Sequence, residues 1–125
     1  MSKKNIENYI PNVMKVLDAT FKEGVVPSSY NGYISSFGAS VMQSGLKPTL
    51  ALFENENANT QEKKQLLPKL ILKVLDANTQ ESSLLRYVLQ RADEEDFLKQ
   101  QIIDISIAIK LGIRTFKLDK GQKDE

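Results

Sequence analysis

Three basic residues near the end of the chain have the types and the spacing to do chemistry. Lys110, Arg114 and Lys117 are separated by four and three positions, so on a helix they would project from one side at axial steps of about 5 to 6 Å. That spacing is close to the repeat of nucleic-acid phosphates, and such a row contacts the backbone without reading bases. The alternative is a solvated helix face whose charges complement the negative end of the helix dipole.

Three further lysines are weaker candidates for the same contact. Lys47 lies at a glycine corner, and Lys15 and Lys22 lie on one face of the first predicted helix. The chain has 17 basic and 16 acidic residues and a net charge of +1, so nucleic-acid binding would need local clustering of charge. The predicted nucleic-acid-binding set is therefore Lys110, Arg114, Lys117, Lys47, Lys15 and Lys22.

The residue types that common catalysis needs are missing. The chain has no histidine and no cysteine, which removes the usual general base, the thiol nucleophile and most zinc ligands. The nearest segment to a phosphate-binding loop runs from Gly38 to Lys47. It has six residues between its glycines rather than four, and proline follows the lysine where Ser or Thr is needed. We therefore expect a protein that is not an enzyme and that uses no metal or cofactor.

The elements that position these residues are predicted to be helices. Residues 30–42 carry apolar side chains at steps of three and four, after Ser28 and Ser29, which suit a helix start. Gly45 suits the helix end, Leu46 is expected in the core, and Pro48 suits the first turn of the next helix. The predicted buried face of the first of these two helices is Tyr30, Tyr33, Ile34, Phe37, Val41 and Met42. Further helices are predicted at about 8–23, at 61–76 and from Asp93 onwards. A short helix is also predicted from Ser82 or Ser83, with a buried face of Leu84, Leu85, Val88 and Leu89.

Two prolines leave helix boundaries open. Pro11 disfavours helical geometry in the preceding residue, so residues 1–7 form either a loose N-terminal arm or a kinked first turn. Pro68 either kinks its helix or moves the helix start close to Gln65. Residues 54–60 are typical of a surface loop that ends in a cap at Thr60, and residues 119–125 are expected to be a frayed tail.

The last apolar segment fits two patterns. From Ile103 to Ile113 isoleucine and leucine alternate with polar or small residues, as in a half-buried strand. The same segment has apolar residues at helical steps from Leu98 to Phe116, preceded by acidic residues and followed by lysines. Since no other segment offers a convincing strand partner, we interpret it as a helix capped by Asp93.

Together these elements predict an all-α fold, a single compact bundle of about five to six helices over residues 1–125. No apolar run approaches the roughly 20 residues that span a membrane. The first residues lack the apolar core of a secretory signal. We expect a cytoplasmic protein with no membrane contact.

Two stretches of the chain resemble a known family. Tyr33 to Phe53, with its aromatic-rich helix and the corner at Gly45, is similar to the small helical subunit of the type III-B CRISPR effector, the Cmr complex. Ile107 to Lys117, an apolar face interrupted by basic residues, resembles the last helix of that family.

The resemblance implies a non-catalytic helical subunit that packs in several copies beside the backbone subunit and the large subunit, flanking the guide RNA and the paired target RNA. Carried onto this chain, Lys110, Arg114 and Lys117 would lie nearest to the target RNA phosphates. Tyr33, Phe37 and Leu46 would hold the fold, and RNA cleavage would belong to other subunits.

The competing hypothesis is a helical adaptor or regulatory subunit that binds a protein partner and makes no nucleic-acid contact. Its docking face would be the broad apolar stripe within residues 66–75. The residues of this stripe are Leu66, Leu67, Leu70, Ile71, Val74 and Leu75.

Overall fold

The computed structural model describes residues 3–55 and 64–119. Its α-helices are α1 Lys3–Thr20, α2 Ser29–Ser44, α3 Leu46–Phe53, α4 Leu66–Leu75, α5 Leu84–Leu89 and α6 Glu95–Ile113. Two three-residue strands, β1 Val25–Pro27 and β2 Lys117–Asp119, form a parallel pair, and a 3₁₀ turn at Ala92–Glu94 precedes α6. The predicted all-α fold of five to six helices is confirmed.

Helices α1 and α6 lie side by side and run in the same direction. Near their starts, Nε2 of Gln101 donates to the Tyr9 hydroxyl at 3.2 Å. Near their ends, Gly112 lies against Leu17. Each helix is followed by a turn and a short strand, and the two strands pair in parallel. The C-terminal ends of α1 and α6 therefore lie at the same end of the molecule.

Helices α2 and α3 form the predicted hairpin. Gly45 between them has a φ of 99°, which glycine adopts without the steric cost of a side chain. Leu46 is buried, and Pro48 lies in the first turn of α3, both as predicted. The rings of Phe37 and Phe53 meet edge to face across the hairpin with centroids 5.3 Å apart. Helix α2 packs against α6 and runs in the opposite direction, because α2 follows β1 and α3 begins near the start of α6.

Helices α4 and α5 complete the bundle. Pro68 lies in the first turn of α4, so this helix starts close to Gln65, the second of the two predicted possibilities. Ser83 caps α5 by accepting from a backbone N–H three residues on at 3.1 Å, which confirms the predicted start. Glu54 follows α3 and accepts from the Ser83 hydroxyl at 2.7 Å and from the N–H of Leu85 at 3.0 Å. These bonds tie α3 to α5.

The apolar stripe of α4 lies in the core, which contradicts the docking face expected for an adaptor. Leu67, Leu70 and Ile71 are each at most 2% exposed. Leu72 and Val74 are buried as well. The stripe is broad because α4 packs against α1, α5 and α6. The docking face predicted by the adaptor hypothesis is therefore not available to a partner.

Helix α1 begins earlier and ends earlier than predicted. It spans Lys3–Thr20 and passes through Pro11, so residues 3–7 of the expected arm are helical. The proline is tolerated because it lies on the exposed side of the helix, where water can satisfy the carbonyl that its missing N–H leaves unpaired. The chain turns at Gly24, which has a φ of 75°.

The isoleucine-rich last segment is helical, as predicted, but its limits differ. Asp93 does not cap α6: it lies in the 3₁₀ turn, and α6 begins at Glu95. The helix ends at Ile113, and the Thr115 hydroxyl donates to a carbonyl of the last turn at 2.8 Å. Lys117 then belongs to β2. The strand pair was not predicted: β1 pairs with β2, which follows the isoleucine-rich segment and is not part of it.

Some side-chain predictions were also wrong. Met42 is 69% exposed and Leu89 is 53% exposed, so neither belongs to the core. Ser28 precedes α2 but makes no side-chain cap hydrogen bond. The predicted cap at Thr60, most of the 54–60 loop and residues 120–125 of the tail lie outside the described residues.

Candidate nucleic-acid interface

The parallel strand pair brings two basic segments together. The N–H of Lys117 donates to the carbonyl of Gly24 at 3.2 Å, so the turn after α1 lies beside the turn after α6. Lys22 lies in the first turn, Arg114 begins the second, and Lys110 lies in the last turn of α6. We call the group formed by Lys22, Lys110, Arg114 and Lys117 the basic end.

The three predicted residues near the chain end do not form one helical row. Lys110 is within α6, and Arg114 occupies the C-cap position with helical dihedral angles. Lys117 lies beyond the helix, where it pairs with Val25 in the strand register. The axial spacing predicted for a helix therefore applies to Lys110 and Arg114. Lys117 reaches the same end of the molecule through the strand pair.

The basic end is accessible to a ligand. Lys22, Arg114 and Lys117 are exposed, and Lys110 is half-buried. Within the described part of the chain, none of these four residues forms an ion pair with a carboxylate. They lie where the C-terminal ends of two parallel helices meet, so their charges also complement two helix dipoles. The arrangement suits binding of an anionic group, and it also suits the solvated-face alternative.

The two remaining candidates lie in different places. Lys15 is exposed on α1, roughly level with Gly112, and so lies towards the basic end. Lys47 lies at the opposite end of α6, where its Nζ is 3.2 Å from Oε1 of Glu95. The helix between Glu95 and Lys110 is about 22 Å long at 1.5 Å per residue. The structure therefore brings five of the six candidates towards one end and leaves Lys47 apart.

The start of α6 carries the opposite charge. Asp93 and Glu94 lie in the 3₁₀ turn, and Glu95 and Asp96 lie in the first helical turn. Carboxylates in this position stabilise the positive end of the helix dipole. We call these four residues the acidic end. A chain with a net charge of only +1 thus has charges of opposite sign at the two ends of α6.

The tyrosines are mainly structural, as predicted. Tyr30 and Tyr87 are 4% and 7% exposed. Tyr9 and Tyr33 are partly buried against the core. No cluster of three or more acidic side chains with the geometry of a metal site occurs within residues 3–55 and 64–119.

Sequence reasoning missed the contact between the segments of Lys22 and Lys117. The available signal was the pair Val25 and Val26, two β-branched residues that favour a strand. Pro27 after them suits the edge of a short sheet, where its missing N–H costs little. A strand of three residues is too short to stand out from the surrounding helices.

Comparison with known families identifies the relatives of this chain. A model of the family described as CRISPR-associated protein (Cas_Cmr5) matches residues 2–106. The chain belongs to the Cas_Cmr5 family. This is the small-subunit family of the type III-B CRISPR effector, so the resemblance drawn from the sequence is confirmed. No curated protein and no solved structure matches the chain.

The Cas_Cmr5 match covers part of the candidate interface. It includes the hairpin from Tyr33 to Phe53 and the candidates Lys15, Lys22 and Lys47. It stops one residue before Ile107, so Lys110, Arg114 and Lys117 follow the matched region. In the part of the chain that the structure describes, no helix is long and apolar enough to cross a bilayer.

Proposed function

We propose that this Cas_Cmr5 chain is a non-catalytic small subunit that stabilises target RNA on the type III-B effector. Several copies pack in a row beside the backbone subunit and the large subunit, along the duplex of guide RNA and target RNA. The basic end contacts phosphates of the target strand, and the protein does not read bases. The complex works in the cytoplasm.

One observation carries the RNA contact. The pairing of β1 with β2 gathers Lys22, Lys110, Arg114 and Lys117 at one end of the bundle, and none of them forms an ion pair within the described residues. Cations that are not already neutralised release counterions from a phosphate backbone when they bind it. The family supplies the context, since its members are subunits of an RNA-guided effector.

The absence of catalysis is supported by composition. A chain without histidine or cysteine lacks the residues that most often act as general base, nucleophile or zinc ligand. Tyr30 and Tyr87 are buried and so cannot reach a substrate. The remaining reactive groups are the hydroxyls of serine and threonine, the lysine amines and the carboxylates. Cleavage of RNA is assigned to other subunits.

The packing of copies in a row is supported by the charge of the two ends of α6. A row requires a heterologous contact, in which one surface of a copy meets a different surface of the next. The acidic end and the basic end are such a pair of surfaces, and their opposite charge favours head-to-tail contact in the RNA-free chain. On the effector, target RNA competes with the neighbouring acidic end for the basic residues. Sedimentation of the purified chain at low and high salt tests this contact, since association should weaken as salt is raised.

Retention of target RNA by the reconstituted complex tests the RNA contact. The variant Arg114→Glu/Lys117→Glu should lower target affinity about tenfold at physiological salt, because two phosphate contacts are lost. The slope of log affinity against log salt should fall by roughly 0.7 for each lost contact to a single strand.

The matched control is Lys69→Glu/Lys73→Glu, which makes the same charge change on exposed residues of α4. This control should keep the affinity and the salt slope of the parent complex. Equal losses in the two double variants would show that only total charge matters and would overturn the assignment of the basic end.

A further inference from the structure

A small pocket lies between the N-terminal halves of α1 and α6, away from the basic end. Its volume is about 250 Å³, below the size of pockets that take drug-sized ligands. Its walls include Asn8, Tyr9, Phe97, Gln100, Gln101 and Asp104. The carboxylate of Asp104 is the charged group among the described residues of this wall. None of these residues was predicted as a binding residue from the sequence.

The hydrogen bonds of the pocket leave it rich in acceptors. Nε2 of Gln100 donates to Oδ1 of Asp104 at 3.1 Å, and Nε2 of Gln101 donates to the Tyr9 hydroxyl at 3.2 Å. Each glutamine thus uses one N–H of its amide within the wall, and its carbonyl oxygen can accept a further hydrogen bond. The second carboxylate oxygen of Asp104 can also accept a hydrogen bond. A ligand that fits this wall must bring several donors.

The position of Asp104 adds a requirement for positive charge. Asp104 is 2% exposed, and buried carboxylates are normally paired with a cation. Among the described side chains, Asp104 forms no ion pair; Lys47 pairs with Glu95 instead. The neighbouring acidic end, which includes Asp96 one residue before Phe97, makes the local potential more negative.

The rim of the pocket carries an aromatic ring. Phe97 is 66% exposed although it is a large apolar residue. A ring in this position offers its face to a planar cation, an arrangement that adds to ion-pair attraction. Of the protein cations, the guanidinium group of arginine is planar, stacks on aromatic rings and brings five N–H donors, whereas the ammonium group of lysine brings three.

We propose that this pocket binds the guanidinium group of an arginine side chain on a protein partner, with Asp104 as the ion-pair partner and Phe97 as the stacking surface. The glutamine carbonyls and the Tyr9 hydroxyl accept the remaining N–H groups. A guanine base also offers adjacent donors and a flat ring. A nucleotide is disfavoured because its phosphates would meet the acidic end.

Titration of the ¹⁵N-labelled full chain followed by NMR tests the proposal. The probe is the blocked tripeptide acetyl-Gly-Arg-Gly-amide, and its neutral isostere carries citrulline in place of arginine. The arginine peptide should shift the side-chain amide signals of Gln100 and Gln101 with half-saturation at least tenfold lower than that of the citrulline peptide. Free arginine should bind no more tightly than the blocked peptide, because the group comes from a protein side chain.

Three variants sharpen this test. Asp104→Asn keeps the shape of the side chain, removes its charge and should weaken arginine-peptide binding at least tenfold. Phe97→Ala alters an exposed position, so the fold is retained, and should weaken binding about threefold or more. The matched control Asp96→Asn removes one carboxylate that does not line the pocket and should change binding less than twofold.

Other outcomes would overturn the proposal. Equal binding of the arginine and citrulline peptides would show that charge is not recognised. Preference for free arginine would point to an amino-acid site rather than a protein partner. Saturation of the same signals by guanosine monophosphate, without a response to the arginine peptide, would assign the pocket to a nucleobase. An unchanged affinity for the arginine peptide in Phe97→Ala would show that the Phe97 ring does not stack on the ligand. This result would stand even if Asp104→Asn failed to fold.

Discussion

A Cβ atom placed on Gly112 would lie 2.9 Å from Cδ1 of Leu17, closer than atoms in van der Waals contact. The side chains of Val13 and Met14 would also lie within 3.2 Å of it. Glycine at this position lets α6 approach α1 near the end at which both helices carry the basic residues. The contact thus links core packing to the position of the candidate interface.

The variant Gly112→Ala should therefore lower the free energy of unfolding by about 1 to 2 kcal/mol, because overpacking at a buried contact outweighs the better helix propensity of alanine. Urea denaturation measures this. The matched control Gly38→Ala places the same methyl group in α2 with no heavy atom within 4 Å and should stabilise by about 0.5 to 1 kcal/mol. A stabilised Gly112→Ala would show that the helices are not in close contact there.

Glu54 should contribute to stability as a cap of α5. Its carboxylate accepts from the Ser83 hydroxyl and the Leu85 N–H, and these charge-assisted bonds satisfy groups at the start of a helix. We expect Glu54→Gln to lose about 1 kcal/mol of unfolding free energy in thermal or urea denaturation. Glu7→Gln, on the exposed face of α1, makes the same change and should stay within about 0.5 kcal/mol of the parent. If both variants unfold alike, the bonds of Glu54 contribute no net stability.

Lys47 should matter less for RNA than Lys117. Lys47 is paired with Glu95 at the far end of α6, whereas Lys117 is exposed at the basic end. In target-RNA binding by the reconstituted complex, Lys117→Glu should reduce affinity several-fold and flatten its salt dependence. Lys47→Glu should leave the salt dependence unchanged. A larger effect of Lys47→Glu would place the RNA at the opposite end of the molecule.

Tyr87 should make the fold sensitive to alkaline pH. Burial raises the pKa of Tyr87 above its ordinary value of 10.0, and the hydrogen bond from its hydroxyl to Asp76 raises it further. Above pH 10 the unfolded chain loses this proton before the folded chain does, so the contribution to stability is present below pH 10 and declines as pH rises. Thermal midpoints measured from pH 8 to 11 should fall more steeply for the parent than for Tyr87→Phe. Parallel curves would contradict this assignment.

The core was largely predictable because it follows helical periodicity. Ile34, Phe37 and Val41 are buried as expected, and the corner at Gly45 joins two helices as expected. Periodicity could not predict which residues at the margin of a face are covered. Met42 lies at such a margin and is exposed, because burial there depends on which neighbouring helix packs against it.

The alternating pattern in α6 has a physical explanation. Asp104, Ser106 and Ala108 are buried together with Ile105 and Ile109, since α6 packs against α1, α2 and α4 and has a wide buried surface. The small side chains of Ser106 and Ala108 allow the neighbouring helices to pack close to α6. A pattern that suggested a strand thus arises from a helix surrounded on several sides.

The candidate interface was predictable residue by residue but not in its arrangement. The sequence drew attention to Lys110, Arg114, Lys117 and Lys22, and all four lie at the basic end. It could not show that Lys117 leaves the helix or that Lys22 lies near it. Both facts depend on a pairing between two strands of three residues that have five helices between them in the chain.

That pairing also sets an order of events during synthesis. Val25 leaves the ribosome long before Lys117 is translated, so the first strand remains unpaired while the helices α2 to α6 are made. Contacts between residues so distant in sequence close late in folding, since the intervening chain must first be ordered. The surface assigned to RNA is therefore completed only after Lys117 has left the ribosome, and a chain truncated before β2 would lack it.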